Sequence, residues 1–78
     1  MQLEIITPDK KLFSGEIKSV TLPGTDGSFG ILNNHAPIIA SLKKGVVKVT
    51  DAANQTHNFD IKGCVVEMQN NKAILLAE

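Results

Sequence analysis

The chain has 78 residues, 42% of them hydrophobic and 21% charged, and its eight lysines balance eight acidic side chains for zero formal net charge. A chain this short buries only about 60% of the surface its unfolded form exposes, so it has room for one core and one domain, residues 1–78. Zero charge and only three aromatics, Phe13, Phe29 and Phe59, argue against nucleic-acid binding, and the composition is too apolar for a disordered tail.

Taken in chain order, the apolar residues recur mostly at a spacing of two, the period of strands. Leu3 and Ile5 face one way and Gln2 and Glu4 the other, with Pro8-Asp9 ending this first strand. A second strand is expected from about Gly15 to Leu22. In it Ile17 is out of phase with Val20 and Leu22, so a bulge must shift the parity if all three are buried, with Gly15 absorbing the bend.

Pro23-Gly24, Asp26-Gly27 and Gly30 predict a compact, stiff loop with a hairpin turn at Asp26-Gly27 and Phe29 projecting or folding back. Ser28 to Leu32 and Pro37 to Leu42 read as apolar runs buried on both faces. Gly45 opens a strand with Val47 and Val49 inward and Lys48 and Thr50 outward.

Further on, His57, Phe59 and Ile61 alternate with Asn58, Asp60 and Lys62, and after a corner at Gly63 the inward set becomes Cys64, Val66 and Met68. Asn70-Asn71 suits a tight turn with positive φ, returning the chain through Ala73 to Leu76. These strands predict an all-β fold: a two-layer antiparallel β-sandwich or flattened barrel of roughly eight to ten short strands.

Candidate chemistry is sparse. The glycines at 24, 27 and 30 lack the Gly-Lys-Ser/Thr and the following helix of a phosphate loop. His35, His57 and Cys64 do not have the paired spacing of a zinc site, and His57 reads as a hydrogen-bonded core or rim histidine. Ser14, Ser19, Ser28 and Ser41 have no base beside them, and Cys64 reads as core. No catalytic residue, metal, cofactor or small-molecule ligand is expected. The lone cysteine rules out an internal disulfide framework and suggests a cytosolic protein; no segment has the length and apolarity of a membrane span or signal peptide.

Five blocks in register go further: Leu3-Glu4-Ile5-Ile6-Thr7-Pro8-Asp9, Phe13-Ser14-Gly15-Glu16-Ile17, Pro23-Gly24-Thr25-Asp26-Gly27-Ser28-Phe29-Gly30-Ile31-Leu32, His35-Ala36-Pro37 and Leu42-Lys43-Lys44-Gly45. In order and spacing they resemble the epsilon subunit of F-type ATP synthase, from Leu3 to Glu78. Asn33 stands where that family commonly has Pro, which is expected to loosen the loop, and Lys62-Gly63-Cys64 replaces its frequent Ser-Gly-Gly-Phe. After Glu78 the family usually continues into a helical hairpin that inhibits ATP hydrolysis; here nothing follows, so coupling without self-inhibition is expected.

The resemblance implies a non-catalytic rotor subunit joining the gamma subunit to the membrane c-ring, peripheral on the cytoplasmic side of a bacterial plasma membrane. It places Asp26, Gly27, Ser28 and Phe29 against the c-ring and Thr7, His35, Pro37, Ile38 and Ala40 against gamma, with Gly15, Gly24, Gly30, Gly45 and Gly63 as structural turns. The rival reading is a lipoyl- or biotinyl-type carrier domain, for which Lys43-Lys44 is the nearest modifiable site.

Overall fold

In the computed structural model, which describes residues 1–77, eight strands account for most of the chain. They are β1 (Gln2–Ile6), β2 (Lys11–Gly24), β3 (Gly27–Leu32), β4 (Ile38–Leu42), β5 (Gly45–Asp51), β6 (Thr56–Ile61), β7 (Cys64–Gln69) and β8 (Lys72–Ala77). The hydrogen-bonded order is β1-β8-β7-β4-β2-β5-β6, with β3 on β2 and a further β1–β2 pairing. Long β2 therefore serves both layers: its first half pairs with β1, its second with β3 and β5. No helix among the described residues is long and apolar enough to cross a membrane.

The inward residues of each strand fill the space between the layers. Leu3 and Ile5, Val47 and Val49, Val66 and Met68, and Ala73 and Leu75 are essentially inaccessible, and burying each of the Val, Leu, Ile and Met side chains contributes about 1.5–3 kcal/mol. Alternation thus predicted the buried faces of β1, β5 and β7 correctly. Ile17, Val20 and Leu22 are all buried, and the register against β5 slips between Ile17 and Ser19, so Lys18 is the bulge that reconciles their parity. Lys18 then reaches Asn54 Oδ1 at 2.6 Å, pinning the β5–β6 turn.

Several expectations are corrected. β2 begins at Lys11, four residues before Gly15, and Gly15 lies in regular register opposite Leu3; the bend falls at Lys18 instead. The runs 28–32 and 37–42 are not buried on both faces: Ile31 and Leu42 are buried, whereas Leu32 is 65% and Ile39 75% exposed. The reason is position, since β3 pairs only with β2 and β4 lies in one layer with an uncovered outer face. The sandwich is also not wholly antiparallel, because β1 and β8 run parallel. They come from opposite ends of the sequence, so no short turn dictates their direction.

Turn chemistry explains the connections. Asn70 and Asn71 adopt φ of 54° and 59° between paired Gln69 and Lys72, as a two-residue hairpin turn with both central residues left-handed requires. Asp51 Oδ1 accepts from the amides of Ala53 and Gln55, each at 2.9 Å, closing the β5–β6 turn.

Candidate functional site

The β2–β3 hairpin dominates the segment from Pro23 to Pro37, so the compact loop expected there is an extended ribbon. Gly24 pairs with Gly27, which puts Thr25-Asp26 at the turn, one residue earlier than expected; Gly27, at φ +128°, follows it. A Cβ on Gly24 would stand 2.6 Å from the Gly27 carbonyl oxygen and 2.8 Å from Phe29 Cε1. Glycine is therefore what lets the Phe29 ring fold back over the neighbouring strand, half-buried against the core.

Beyond the ring, a groove of about 330 Å³ separates the hairpin tip from β4. Asp26, Gly27 and Phe29 line one wall and Ile38, Ile39 and Ala40 the other. Two sets of residues that sequence reasoning assigned to different partners are thus neighbours across one groove. Ile38 and Ala40 are half-buried and pack on the core, while Ile39 projects outward. Ser28 is exposed on the hairpin's other side and does not line the groove.

The remaining candidates lie elsewhere. His35 is exposed just before β4, its Nδ1 2.7 Å from the Ala36 carbonyl oxygen, to which it donates. Thr7 does not join it. The register sets Gln2 beside Lys72 and Ile6 beside Leu76, so Thr7 and His35 sit at opposite ends of their sheet, separated by at least the ~13 Å that four strand residues span. The Thr7 hydroxyl donates to the Lys10 carbonyl at 3.0 Å and accepts from the Lys10 amide at 3.1 Å, which fastens the β1–β2 turn. Of the glycines, Gly15 and Gly30 lie within strands, Gly24 ends β2, Gly45 opens β5 and Gly63 joins β6 to β7.

At the hairpin's base, Asn33 Oδ1 accepts from the Met1 ammonium and from Asn71 Nδ2, each at 2.9 Å. The same ammonium pairs with Glu16, and the Asn34 amide donates to Asn71 Oδ1 at 2.7 Å. Asn33 thus ties three segments together and does not loosen the loop. Sequence reasoning missed this tie and the outward Ile39. The paired Asn71 was visible only as a turn former, and the Ile38-Ile39 doublet hid which side chain faces out.

The titratable groups are structural. His57 Nε2 lies 2.7 Å from Asp51 Oδ2, and its ring packs 5.5 Å from that of Phe13. The His57 bond, followed by the Gln55 amide, lowers the Asp51 carboxyl below its usual range. Lys72 and Lys11 do the same for Glu4, at 3.1 and 3.3 Å. Burial pushes the Cys64 thiol up to about 11, which leaves it protonated and unreactive at neutral pH. Lys43 and Lys44 join β4 to β5, strands that do not pair with each other. They are therefore not at the hairpin tip that a carrier lysine requires, and the carrier reading loses its site.

Residues 1–78 match the family described as the β-sandwich domain of the ATP synthase delta/epsilon chain. The ATP synthase epsilon chain of Chlorobium limicola is 47% identical over 77 residues, covering 99% of this chain and 88% of that one. The epsilon chain of Dichelobacter nodosus is 39% identical over 77 residues, again 99% of this chain but 54% of the relative. Among solved structures, a chain of the Euglena gracilis mitochondrial ATP synthase superposes with a TM-score of 0.90 at 17% identity, covering 96% of this chain and 48% of that chain. A chain from the central stalk and c-ring of the Tetrahymena thermophila mitochondrial ATP synthase gives 0.80 at 21% identity, covering 99% and 62%. At those identities the likeness concerns the fold.

Proposed function

The chain belongs to the ATP synthase delta/epsilon β-sandwich family, an accessory part of that complex, and from this premise we propose that it is a rotor subunit linking the gamma subunit to the c-ring. It performs no bond chemistry. In this reading the hairpin tip, Asp26 to Phe29, meets the polar loops of the c-ring, His35 with Pro37 to Ala40 meets gamma, and Phe29 also walls the groove on the side that faces gamma. The complex then holds the chain peripherally on the cytoplasmic side of a bacterial plasma membrane.

One observation carries the reading: two exposed segments, the hairpin tip and the start of β4, are carried on a single sandwich with one continuous core. A linker that transmits torque must not yield between its two contacts, and cross-paired short strands with tight turns meet that need. We leave Thr7 out of the proposed gamma set, because its hydroxyl is engaged in its own turn and lies at the far end of the sheet from His35.

The test is reconstitution. An ATP synthase stripped of its epsilon chain is expected to recover ATP-driven proton pumping when this chain is added, and His35→Glu or Ser28→Lys to recover less than half of that while unfolding at the same urea concentration. Equal recovery by both variants would remove these contacts from the account.

A further inference from the structure

The ladder between β2 and β4 stops after one bridge, Gly24 opposite Leu42. Thr25 N donates to Ser41 O at 3.2 Å and Lys43 N to Pro23 O at 2.8 Å, after which the hairpin diverges from β4. Successive residues of a strand direct their backbone groups to opposite edges. Because Ser41 O and Lys43 N point to the hairpin side, Ile39 does so too, while Ile38, Ala40 and Leu42 bond to β7. Among the described residues, the N–H and C=O of Ile39 and the N–H of Ser41 have no backbone partner, and they open into the groove.

Native sheets usually block such an edge with charge or proline. Pro37 blocks this edge just ahead of β4, whereas the stretch Ile38-Ile39-Ala40-Ser41 beyond it carries neither charge nor proline. We propose that β4 is completed in the assembled stalk by an extended segment of the gamma subunit, which pairs with Ile39 and Ser41 and sets an apolar side chain between Phe29 and Ala40. This mode of attachment rests on the gamma contact proposed above and specifies how it is made: main-chain hydrogen bonds supply the attachment and the apolar wall selects the side chain. The open stretch from Ile39 to Ser41 accommodates about three residues, ~10 Å of strand. A second copy of this chain does not fit, because the strand next to an incoming edge strand would lie about 4.8 Å further out, where the hairpin already stands.

Ile39→Pro removes the donor while leaving the β7 ladder intact, since residue 39 directs its N–H away from β7; Ile39→Ala removes the side chain and keeps the donor. Binding to purified gamma is expected to be at least ~10-fold weaker for Ile39→Pro than for Ile39→Ala, about the strength of one well-placed hydrogen bond. In the wild-type complex the amides of Ile39 and Ser41 are expected to exchange with deuterium at least ~10-fold more slowly than in the free chain. That readout stands even if the proline variant fails to fold. Unslowed amides in the complex, or equal affinity of the two variants, would overturn strand addition. If His35→Glu weakens binding while the Ile39 variants match each other, strand addition alone falls; if neither site matters, the gamma reading falls with it. Slow exchange already present in the isolated chain at high concentration would give the edge to a second copy and overturn the assignment.

Discussion

At its base, the β2–β3 hairpin is tied by polar groups: Asn33, Asn71, Glu16 and the Met1 ammonium share hydrogen bonds across three segments. At its tip it touches β4 through one bridge and then leaves a groove walled by Phe29, Ile38 and Ala40. The same pair of strands is thus fixed at one end and unfinished at the other. The base bonds hold the ribbon where it leaves the sandwich, some distance from the residues that wall the groove. Leaving the tip's neighbour unpaired gives a partner something to complete.

The two ends share one support, and removing it has the largest expected effect. Leu22 is fully buried opposite Phe29, so Leu22→Ala should cost about 2–5 kcal/mol in urea unfolding and weaken the base and the tip together. A smaller change strikes the tip alone. In Gly24→Ala the new methyl meets the Gly27 carbonyl and the Phe29 ring, which should cost about 1–3 kcal/mol and lower gamma affinity as Phe29 is displaced. Asn33→Ala strikes the base alone, with an expected loss of about 1–2 kcal/mol and gamma affinity unchanged. If Asn33→Ala altered affinity as much as Gly24→Ala, base and tip would not be separate devices.

The smallest effect lies outside the hairpin and calibrates the others. Asp51 and Glu4 both have carboxyls held below their ordinary values of 3.8 and 4.5 by their partners, His57 first for Asp51 and Lys72 first for Glu4. A lowered folded pKa means stability that is present above those values and is lost as the pH falls below them. The urea midpoint should therefore decline on acidification through that window, and Asp51→Asn should shallow the decline. Both carboxylates are near solvent, so salt should weaken the effect.

Much of this was legible in the sequence where one face is buried and the other is not. Leu3 and Ile5, Val47 and Val49, and the Cys64, Val66, Met68 set gave their strands and core by alternation, and Asn70-Asn71 gave its turn by its demand for positive φ. The conflict of Ile17 with Val20 foretold the bulge. Apolar doublets were opaque, because Ile38-Ile39 and Ile31-Leu32 carry no parity, and which member is buried depends on whether another layer covers that strand. The start of β2 was hidden for a similar reason: Leu12 and Phe13 are both half-buried rim residues. Asn33 was unreadable because its role depends on Met1 and Asn71, which only the folded chain brings beside it. The candidate contacts came from resemblance, and what the fold added was their arrangement: tip and β4 together, Thr7 apart.

The most direct measurement uses the inert Cys64. With its thiol pushed up to about 11, a maleimide photocrosslinker at pH 7 should label only a cysteine introduced at the surface. Ser28→Cys and His35→Cys, each labelled, assembled into the ATP synthase and illuminated, are expected to capture the c-ring subunit and the gamma subunit respectively. Capture of one and the same subunit from both positions, or of neither, would contradict the account of a rigid link between two partners.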